Sequence, residues 1–133
     1  MKVSFDIGGV VAKYPEKFKA LMKILFIGGA QIYVITDMPK VSAVEMLREN
    51  GFDYVLADRI FSADYEGEGE RCKQFLIEKH GIDIHLDDFA AYCSHESCIS
   101  LFVWPNPDKP YYADDFKTKT DFKFGRVRSK KIV

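Results

Sequence analysis

Short runs of β-branched and aromatic residues alternate with segments of helical periodicity through the first 104 residues, and this alternation strongly constrains the fold. The apolar runs predict five strands, over residues 2–6, 31–36, 54–57, 82–86 and 99–104. The helical spacing predicts helices over residues 15–26, 40–50, 70–80 and 89–93. A glycine follows each of the first three helical segments, as expected at helix ends. The acidic stretch over residues 58–69 is predicted to be an irregular loop.

Strands that alternate with helices indicate an α/β protein. We expect a three-layer Rossmann-like domain with a central parallel five-stranded sheet and helices on both faces. The chain has 133 residues, of which 47% are hydrophobic and 29% charged, which is typical of one globular domain. Residues 1–116 are predicted to form the α/β core, without a cap domain, and residues 117–133 a basic C-terminal tail.

Several classes of protein are disfavoured by the sequence. No apolar run approaches the ~20 residues that a membrane span requires. Asp6 interrupts the first apolar segment and no small-residue cleavage site follows, so we expect no signal peptide and a cytoplasmic protein. The three cysteines are an odd number without framework spacing, which favours reduced thiols. Cys93, His95 and Cys98 lack the second ligand pair of a structural zinc site.

Charge is distributed unevenly along the chain. Residues 117–133 carry seven Lys or Arg and one Asp, so the tail has a net charge of +6 and the preceding 116 residues −7. The acidic body is a poor surface for nucleic acid, whereas the tail makes nucleic-acid binding possible. A solvated terminus is the preferred interpretation, because the tail has no clear platform for base stacking. The sequence indicates no oligomeric state.

Polar residues suited to phosphate and metal binding occur where the predicted strands end. Asp6 ends the first strand, Thr36 the second, and Asp87 and Asp88 the fourth, while Lys73 lies early in the preceding helix. The carboxyl ends of parallel strands meet at one edge of a sheet, where ligands bind. Carboxylates there can hold Mg²⁺, and hydroxyl and ammonium donors can neutralise phosphoryl oxygens. A carboxylate can also attack phosphorus.

These motifs, taken in order, resemble those of the haloacid dehalogenase-like (HAD) hydrolase superfamily. They are Asp6-Ile7-Gly8-Gly9-Val10-Val11, Ile35-Thr36-Asp37, Lys73, and His85-Leu86-Asp87-Asp88. The resemblance covers roughly residues 1–104, and the intervals between motifs are too short for a large cap domain. It therefore implies a minimal capless member of the superfamily, and capless members tend to act on macromolecules or to borrow a cap.

The resemblance also implies a role for each matching residue. Asp6 would be the nucleophile that forms an aspartyl-phosphate, and Thr36 and Lys73 would hold the phosphate. The Gly8-Gly9 backbone would cradle the phosphate. The ligands of a Mg²⁺ cofactor would be Asp6, the Gly8 carbonyl, and Asp87 supported by Asp88. The expected substrate is a phosphorylated small molecule or macromolecule.

One departure from the family pattern leaves catalysis open. Most phosphatases of the superfamily carry a second Asp, a general acid and base, two residues after the nucleophile, where this chain has Gly8. We therefore expect a Mg²⁺-dependent phosphohydrolase, with a catalytically impaired binding or interaction module as the alternative. A response-regulator receiver-like domain shares the residue types but places its acidic pair after the first strand, so it is disfavoured.

Each candidate also has a purely structural interpretation. Asp6 could be a turn residue, and Thr36 or the Asp87-Asp88 pair could cap the helices that follow them. Lys79 competes with Lys73 for the phosphate role. His85 is expected to be a core histidine with satisfied hydrogen bonds rather than a catalytic residue.

Overall fold

The computed structural model of the chain describes residues 1–63, 72–89 and 97–103. The helices and strands of these residues are, in chain order, β1 (Lys2–Phe5), α1 (Pro15–Ile27), β2 (Gln31–Thr36), α2 (Lys40–Glu49), β3 (Ile60–Ser62), α3 (Lys73–Lys79), β4 (Ile84–Asp87) and β5 (Ile99–Phe102). An irregular turn, Ile7–Val11, in which Gly8 and Gly9 have non-helical backbone angles, follows β1, and a 3-10 turn, Ala57–Arg59, precedes β3.

All five strands are parallel and lie in the order β3-β2-β1-β4-β5. This confirms the predicted α/β fold with a five-stranded parallel sheet, an arrangement compatible with a Rossmann-like fold. Strand β1 occupies the centre, where Val3 lies opposite Ile32 of β2 and Ile84 of β4. The residues that follow β1 are therefore in the middle of the carboxyl edge.

Helices cover both faces of the sheet, as the side-chain alternation along β2 illustrates. Ile32 and Val34 belong to the larger core cluster, with residues of α1 and α2, whereas Tyr33 and Ile35 belong to the second cluster, with residues of α3. Successive strand residues point to opposite faces, so a strand with helices on both sides is apolar throughout. The sheet is consequently the middle of three layers.

Local sequence signals set the bounds of the helices. Pro15 opens α1, where its fixed φ suits the first turn and its missing N–H costs no hydrogen bond. Gly51 follows α2 with φ of 76° and Gly81 follows α3 with φ of 63°. This left-handed conformation is strained for other residues, which explains why glycine ends both helical segments.

The third strand is not where the sequence predicts it. Residues 54–57 form turns, and the strand is Ile60–Ser62, inside the stretch predicted to be irregular. Phe52 is buried in the core and the Tyr54 ring packs against Phe26 at 5.0 Å, so this segment is held against α1 rather than along the sheet edge. Ile60 then pairs with Val34 of β2. Tertiary packing thus overrides the local strand propensity.

The other predicted bounds differ from the observed ones by a few residues or fewer. The remaining predictions concern residues outside the described ranges: most of the helix over 89–93, the second half of the acidic loop over 58–69, Cys93, His95 and the basic tail. Across the ranges that the structure does describe, no helix is both long and apolar enough to cross a membrane.

Candidate metal centre

Asp6 follows β1 directly and is almost completely buried, with 5% of its surface exposed. Its backbone N–H donates to the Leu86 carbonyl at 3.0 Å, which continues the pairing of β1 with β4 by one residue. The chain then leaves the sheet through the Ile7–Val11 turn, where Gly9 has φ of 71°. The Asp6 carboxylate is therefore fixed at the centre of the carboxyl edge.

Lys73 reaches this carboxylate from the first residue of α3. Its side chain is 1% exposed, and Nζ lies 3.1 Å from Asp6 Oδ1 and 2.7 Å from Asp87 Oδ2. A cation at a helix N-terminus is opposed by the helix dipole, so the two carboxylates must stabilise it there. Lys79 is exposed on the same helix. The structure thus brings Lys73, and not Lys79, to the predicted site.

The acidic pair at the end of β4 completes the cluster. Asp87 is fully buried, and its Oδ1 accepts a hydrogen bond from the backbone N–H of Phe89 at 3.0 Å. Asp88 is half-buried, with its carboxylate against the Cα of Gly9, so that a Cβ added at Gly9 would overlap it. Both the positive φ and this close approach require glycine at position 9.

The three carboxylates form a group that can hold a cation. One oxygen each of Asp6, Asp87 and Asp88 lies within 4.8 Å of the other two. Asp6 Oδ1 is buried and, although Lys73 forms an ion pair with it, makes no hydrogen bond of good geometry to the described residues. Buried acceptors normally have such a partner. A hard cation would satisfy this oxygen, and an all-oxygen carboxylate set suits Mg²⁺.

The pKa values of the cluster differ widely. Burial raises the pKa of Asp6 and the charge of Asp87 raises it further, so that despite Lys73 it reaches about 7. Burial also raises the pKa of Asp87, but the charge of Lys73 and the hydrogen bond from His85 outweigh this and lower it to about 2. For Lys73, burial lowers the pKa, but Asp87 and Asp6 outweigh it and the net shift is upward. Of the two buried carboxylates, Asp6 is thus the one whose pKa lies near neutrality.

The raised pKa of Asp6 predicts that Asp6→Asn stabilises the metal-free protein at neutral and higher pH. The folded pKa of about 7 lies above the ordinary Asp value of 3.8, so the native state binds more protons between these values and wild-type stability falls as pH rises through this window. Asn does not titrate, so the difference in unfolding free energy should grow across the window to on the order of a few kcal/mol. Urea unfolding at pH 4.5 and pH 8 measures it.

Asp53→Asn is the matched control, because Asp53 is exposed in the turns after α2. It should change the unfolding free energy by no more than about 0.5 kcal/mol at either pH. If the unfolding free energies of Asp6→Asn and wild type differ by the same amount at both pH values, the result would contradict the raised pKa of Asp6. In the wild type the titrations of Asp87, with its lowered pKa, and of Lys73, with its raised pKa, fall outside the window.

Thr36 and Gly8 lie at the same edge but outside the carboxylate group. Thr36 is fully buried at the end of β2, and its Oγ1 accepts a hydrogen bond from the Met38 N–H at 3.2 Å, as in a turn-capping role. Gly8 has φ of −63° and ψ of 129°, which any residue can adopt, and a Cβ there would meet no atom within 4 Å. The hydroxyl hydrogen of Thr36 can still be donated to a ligand.

Two buried residues next to Asp87, Ser4 and His85, were not among the predicted site residues. Ser4 Oγ lies 2.7 Å from His85 Nδ1, and His85 Nε2 lies 2.9 Å from Asp87 Oδ2. His85 is fully buried with a partner at each ring nitrogen, as expected for a core histidine. The two-residue spacing of His85 and Asp87 places them on one face of β4 and signals the contact. The pairing with Ser4 depends on strand register, which the sequence does not show.

The cluster therefore combines three carboxylates, a buried ammonium group and a glycine-containing turn at the carboxyl edge of a parallel sheet. This set is suited to binding a divalent cation and a phosphate group next to each other. In comparisons with known proteins, no family model, curated protein or solved structure matches this chain.

Proposed function

We propose that the protein is a Mg²⁺-dependent phosphohydrolase that acts through an aspartyl-phosphate on Asp6. One observation carries the proposal: the buried Asp6 carboxylate lies within 4.8 Å of Asp87 and Asp88 and forms an ion pair with buried Lys73. A structural ion pair alone needs one carboxylate for one ammonium group. Among the described residues three carboxylates lie around one Lys, and this excess of acidic groups, once Asp6 is ionised, favours an additional cation.

The chain order of the motifs supports assignment to the HAD-like superfamily. The nucleophile candidate follows the first strand, Thr36 ends the second strand, and Lys73 precedes the acidic pair of the fourth strand. In a receiver-like domain the acidic pair would instead follow β1. The absence of any large insertion between Val11 and Thr36 supports the capless form.

In the first chemical step, an Asp6 oxygen attacks phosphorus of the phosphoester. The new bond joins this oxygen to phosphorus while the bond from phosphorus to the ester oxygen breaks, and the departing ester oxygen takes a proton from water to leave as an alcohol. Asp6 must be ionised to attack, and Lys73 favours its ionised form. Lys73 and the Thr36 hydroxyl would neutralise charge on the phosphoryl oxygens.

In the second step, water attacks phosphorus, the bond between phosphorus and Asp6 breaks, and inorganic phosphate leaves with the carboxylate restored. Water must lose a proton in this step, and the position that most related phosphatases use for the general base is Gly8. General acid–base assistance is worth typically ~10²–10⁴-fold. We therefore expect slow turnover, limited by hydrolysis of the aspartyl-phosphate.

Mg²⁺ would be held by Asp6, Asp87 and Asp88, with the Gly8 carbonyl as a further ligand. When bound it would lower the repulsion between the attacking carboxylate and the phosphoryl oxygens. Three buried or half-buried carboxylates so close together repel each other, and the bound cation would offset this repulsion. The substrate class remains a phosphoester, either a small molecule or a group on a macromolecule.

Gly8 favours a second candidate function. Without an acid or base at this position, the same pocket can bind Mg²⁺ and phosphate without turning over, as a binding or interaction module. The two functions share the cation site and differ in whether Asp6 becomes phosphorylated.

Hydrolysis of a generic aryl phosphate tests the proposal, because its leaving group needs little protonation. We expect wild type to release phosphate with Mg²⁺ and not with EDTA, and Asp6→Asn to lose the Mg²⁺-dependent rate. Asp53→Asn, an exposed acid, is the matched control and should retain it.

Turnover that persists in Asp6→Asn would sink the nucleophile assignment. Mg²⁺ binding without turnover in wild type, Asp53→Asn and Gly8→Asp would favour the binding module. Turnover that is insensitive to EDTA would contradict the Mg²⁺ requirement.

A further inference from the structure

Gly9 lies between two segments that each supply a carboxylate to the proposed cation site. It is the third residue after Asp6, in the Ile7–Val11 turn, and its Cα lies against the carboxylate of Asp88, which directly follows β4. Strands β1 and β4 are neighbours in the sheet, so the turn that leaves β1 passes the end of β4. The contact of Gly9 with Asp88 therefore joins the turn after Asp6 to the acidic pair.

The space that the Asp88 carboxylate occupies exists because Gly9 has no side chain. A Cβ at Gly9 would lie 3.0 Å from Asp88 Cβ and closer still to its Cγ and Oδ2. Carbon atoms in contact are normally ~3.5–4.0 Å apart. The closest atoms belong to the end of a side chain, so rotation of Asp88 relieves the overlap at less cost than movement of the backbone. A Cβ at position 9 would thus displace the Asp88 carboxylate, whatever other contacts Asp88 makes.

The conformation of Asp88 that fits against Gly9 is the one that brings it to the other two acids. In this conformation one oxygen each of Asp6, Asp87 and Asp88 lies within 4.8 Å of the other two. Mg²⁺ demands near-octahedral ligands at ~2.0–2.1 Å, and ligand distances vary by only ~0.2 Å. Side-chain rotamers are about 120° apart. An Asp88 side chain that changes rotamer would therefore no longer be placed to bind the cation together with Asp6 and Asp87.

We propose that Gly9 is a positioning residue for the cation: the space beside its Cα selects the Asp88 conformation that joins Asp6 and Asp87, so that Gly9 and Asp88 determine Mg²⁺ affinity as one unit. The positive φ of Gly9, 71°, takes the turn past the end of β4, so both properties of glycine contribute to the contact. The inference rests on the proposed cation site but not on phosphate hydrolysis.

A double-mutant cycle separates this role of Gly9 from a general loss of structure. Gly9→Ala adds the overlapping Cβ, and Asp88→Ala removes the carboxylate that it would displace. The double variant has neither the carboxylate nor its overlap with the added Cβ. The cycle thus measures how much of the effect of Gly9→Ala on Mg²⁺ affinity passes through Asp88.

Gly29→Ala is the matched control. Gly29 also has a positive φ, 91°, but a Cβ there would meet no atom within 4 Å. It lies between α1 and β2, at the opposite edge of the sheet from the carboxylates. Gly29→Ala therefore reproduces the backbone strain of Ala at a positive φ without an overlap and without contact with the cation site.

The measurement is calorimetric titration of the metal-free full chain with MgCl₂. For Gly9→Ala we expect Mg²⁺ affinity to fall roughly 10-fold or more, since loss of the group that orients a metal ligand costs typically ~10–100-fold in affinity. Asp88→Ala should lose at least as much. Adding Gly9→Ala to Asp88→Ala should change the affinity by less than about 3-fold, and Gly29→Ala should bind Mg²⁺ as wild type does. Far-UV circular dichroism establishes that each variant is folded.

An unchanged affinity in Gly9→Ala, or an equal fall in Gly29→Ala, would overturn the inference while wild-type Mg²⁺ binding left the proposed cation site standing. The inference would also fail if Gly9→Ala lowered the affinity equally in wild type and in Asp88→Ala, because Gly9 would then act without Asp88. Wild type that does not bind Mg²⁺ would overturn both the inference and the cation site.

If Gly9→Ala does not fold, Asp88→Glu decides. Glu keeps the charge, but its side chain is longer by one C–C bond of about 1.5 Å, which moves the carboxylate out of the space beside Gly9. A fall in Mg²⁺ affinity as large as that of Asp88→Ala supports the inference, and a smaller fall overturns it.

Discussion

Lys73→Met should destabilise the metal-free protein by about 3–5 kcal/mol at pH 8, because it removes the cation between two buried carboxylates. Lys73 is 1% exposed and lies 3.1 Å from Asp6 and 2.7 Å from Asp87. Without it both carboxylates are left buried and repel each other, so their pKa values should rise. The native state of the variant then binds more protons, and the loss of stability should be smaller at pH 5 than at pH 8. Urea unfolding at the two pH values measures the loss.

Lys79→Met in the same helix is the matched control, since Lys79 is exposed. It should change the unfolding free energy by no more than about 0.5 kcal/mol. Millimolar Mg²⁺ should recover part of the stability that Lys73→Met loses, because ligands that bind only the native state stabilise it. A loss that matches the control, or one that is the same at pH 5 and pH 8, would contradict the role of Lys73 as the counter-ion of the cluster.

Gly8→Asp should raise the rate of phosphate release by ~10²-fold or more, within the range typical of general acid–base assistance. The backbone at Gly8, with φ of −63° and ψ of 129°, accepts any side chain, and a Cβ there meets no atom within 4 Å. The variant should therefore fold, and it should gain a little stability from a less flexible unfolded chain. Steady-state hydrolysis of an aryl phosphate with Mg²⁺ measures the rate.

Gly8→Asn is the matched control, because Asn has the size of Asp but neither donates nor accepts a proton in this pH range. The rate of phosphate release should increase in Gly8→Asp and not in Gly8→Asn. Equal rates in the Asp and Asn variants would show that a missing acid and base at position 8 does not limit turnover.

The sequence was sufficient to predict a five-stranded parallel sheet, although not the position of its third strand, and the approach of Lys73 to Asp6 and Asp87. The runs that become β1, β2 and β4 end abruptly at Asp6, Thr36 and Asp87, so polarity marks the carboxyl edge in the sequence itself. Parallel strands bring such ends together by geometry alone. Lys73 could be placed near them because it begins the helix that leads into β4.

Contacts that depend on packing or register could not be predicted. Residues 54–57 were predicted to form the third strand, yet Tyr54 packs on Phe26 and Ile60–Ser62 forms that strand instead. Ser4 and His85 are 81 residues apart, and only the register of β1 with β4 joins them. The approach of Asp88 to Gly9 likewise follows from tertiary structure, although the glycine itself was a recognisable signal.

A missing base should also change which species accumulates. An aryl leaving group departs with little help, so the first step should be fast in wild type and the second slow. The aspartyl-phosphate should then build up on Asp6 during turnover, and Gly8→Asp should reduce its level by hastening hydrolysis.

Chemical trapping of phosphorylated Asp6 tests whether Asp6 is the nucleophile. Wild type is mixed with an aryl phosphate and Mg²⁺, quenched with acid and reduced with borohydride, which converts an aspartyl-phosphate to homoserine that peptide mass spectrometry locates. We expect homoserine at position 6, dependent on Mg²⁺ and absent from Asp6→Asn, with less of it in Gly8→Asp. Wild type that hydrolyses the substrate with no modification at position 6, or with modification at another acid, would contradict the assignment of Asp6 as the nucleophile.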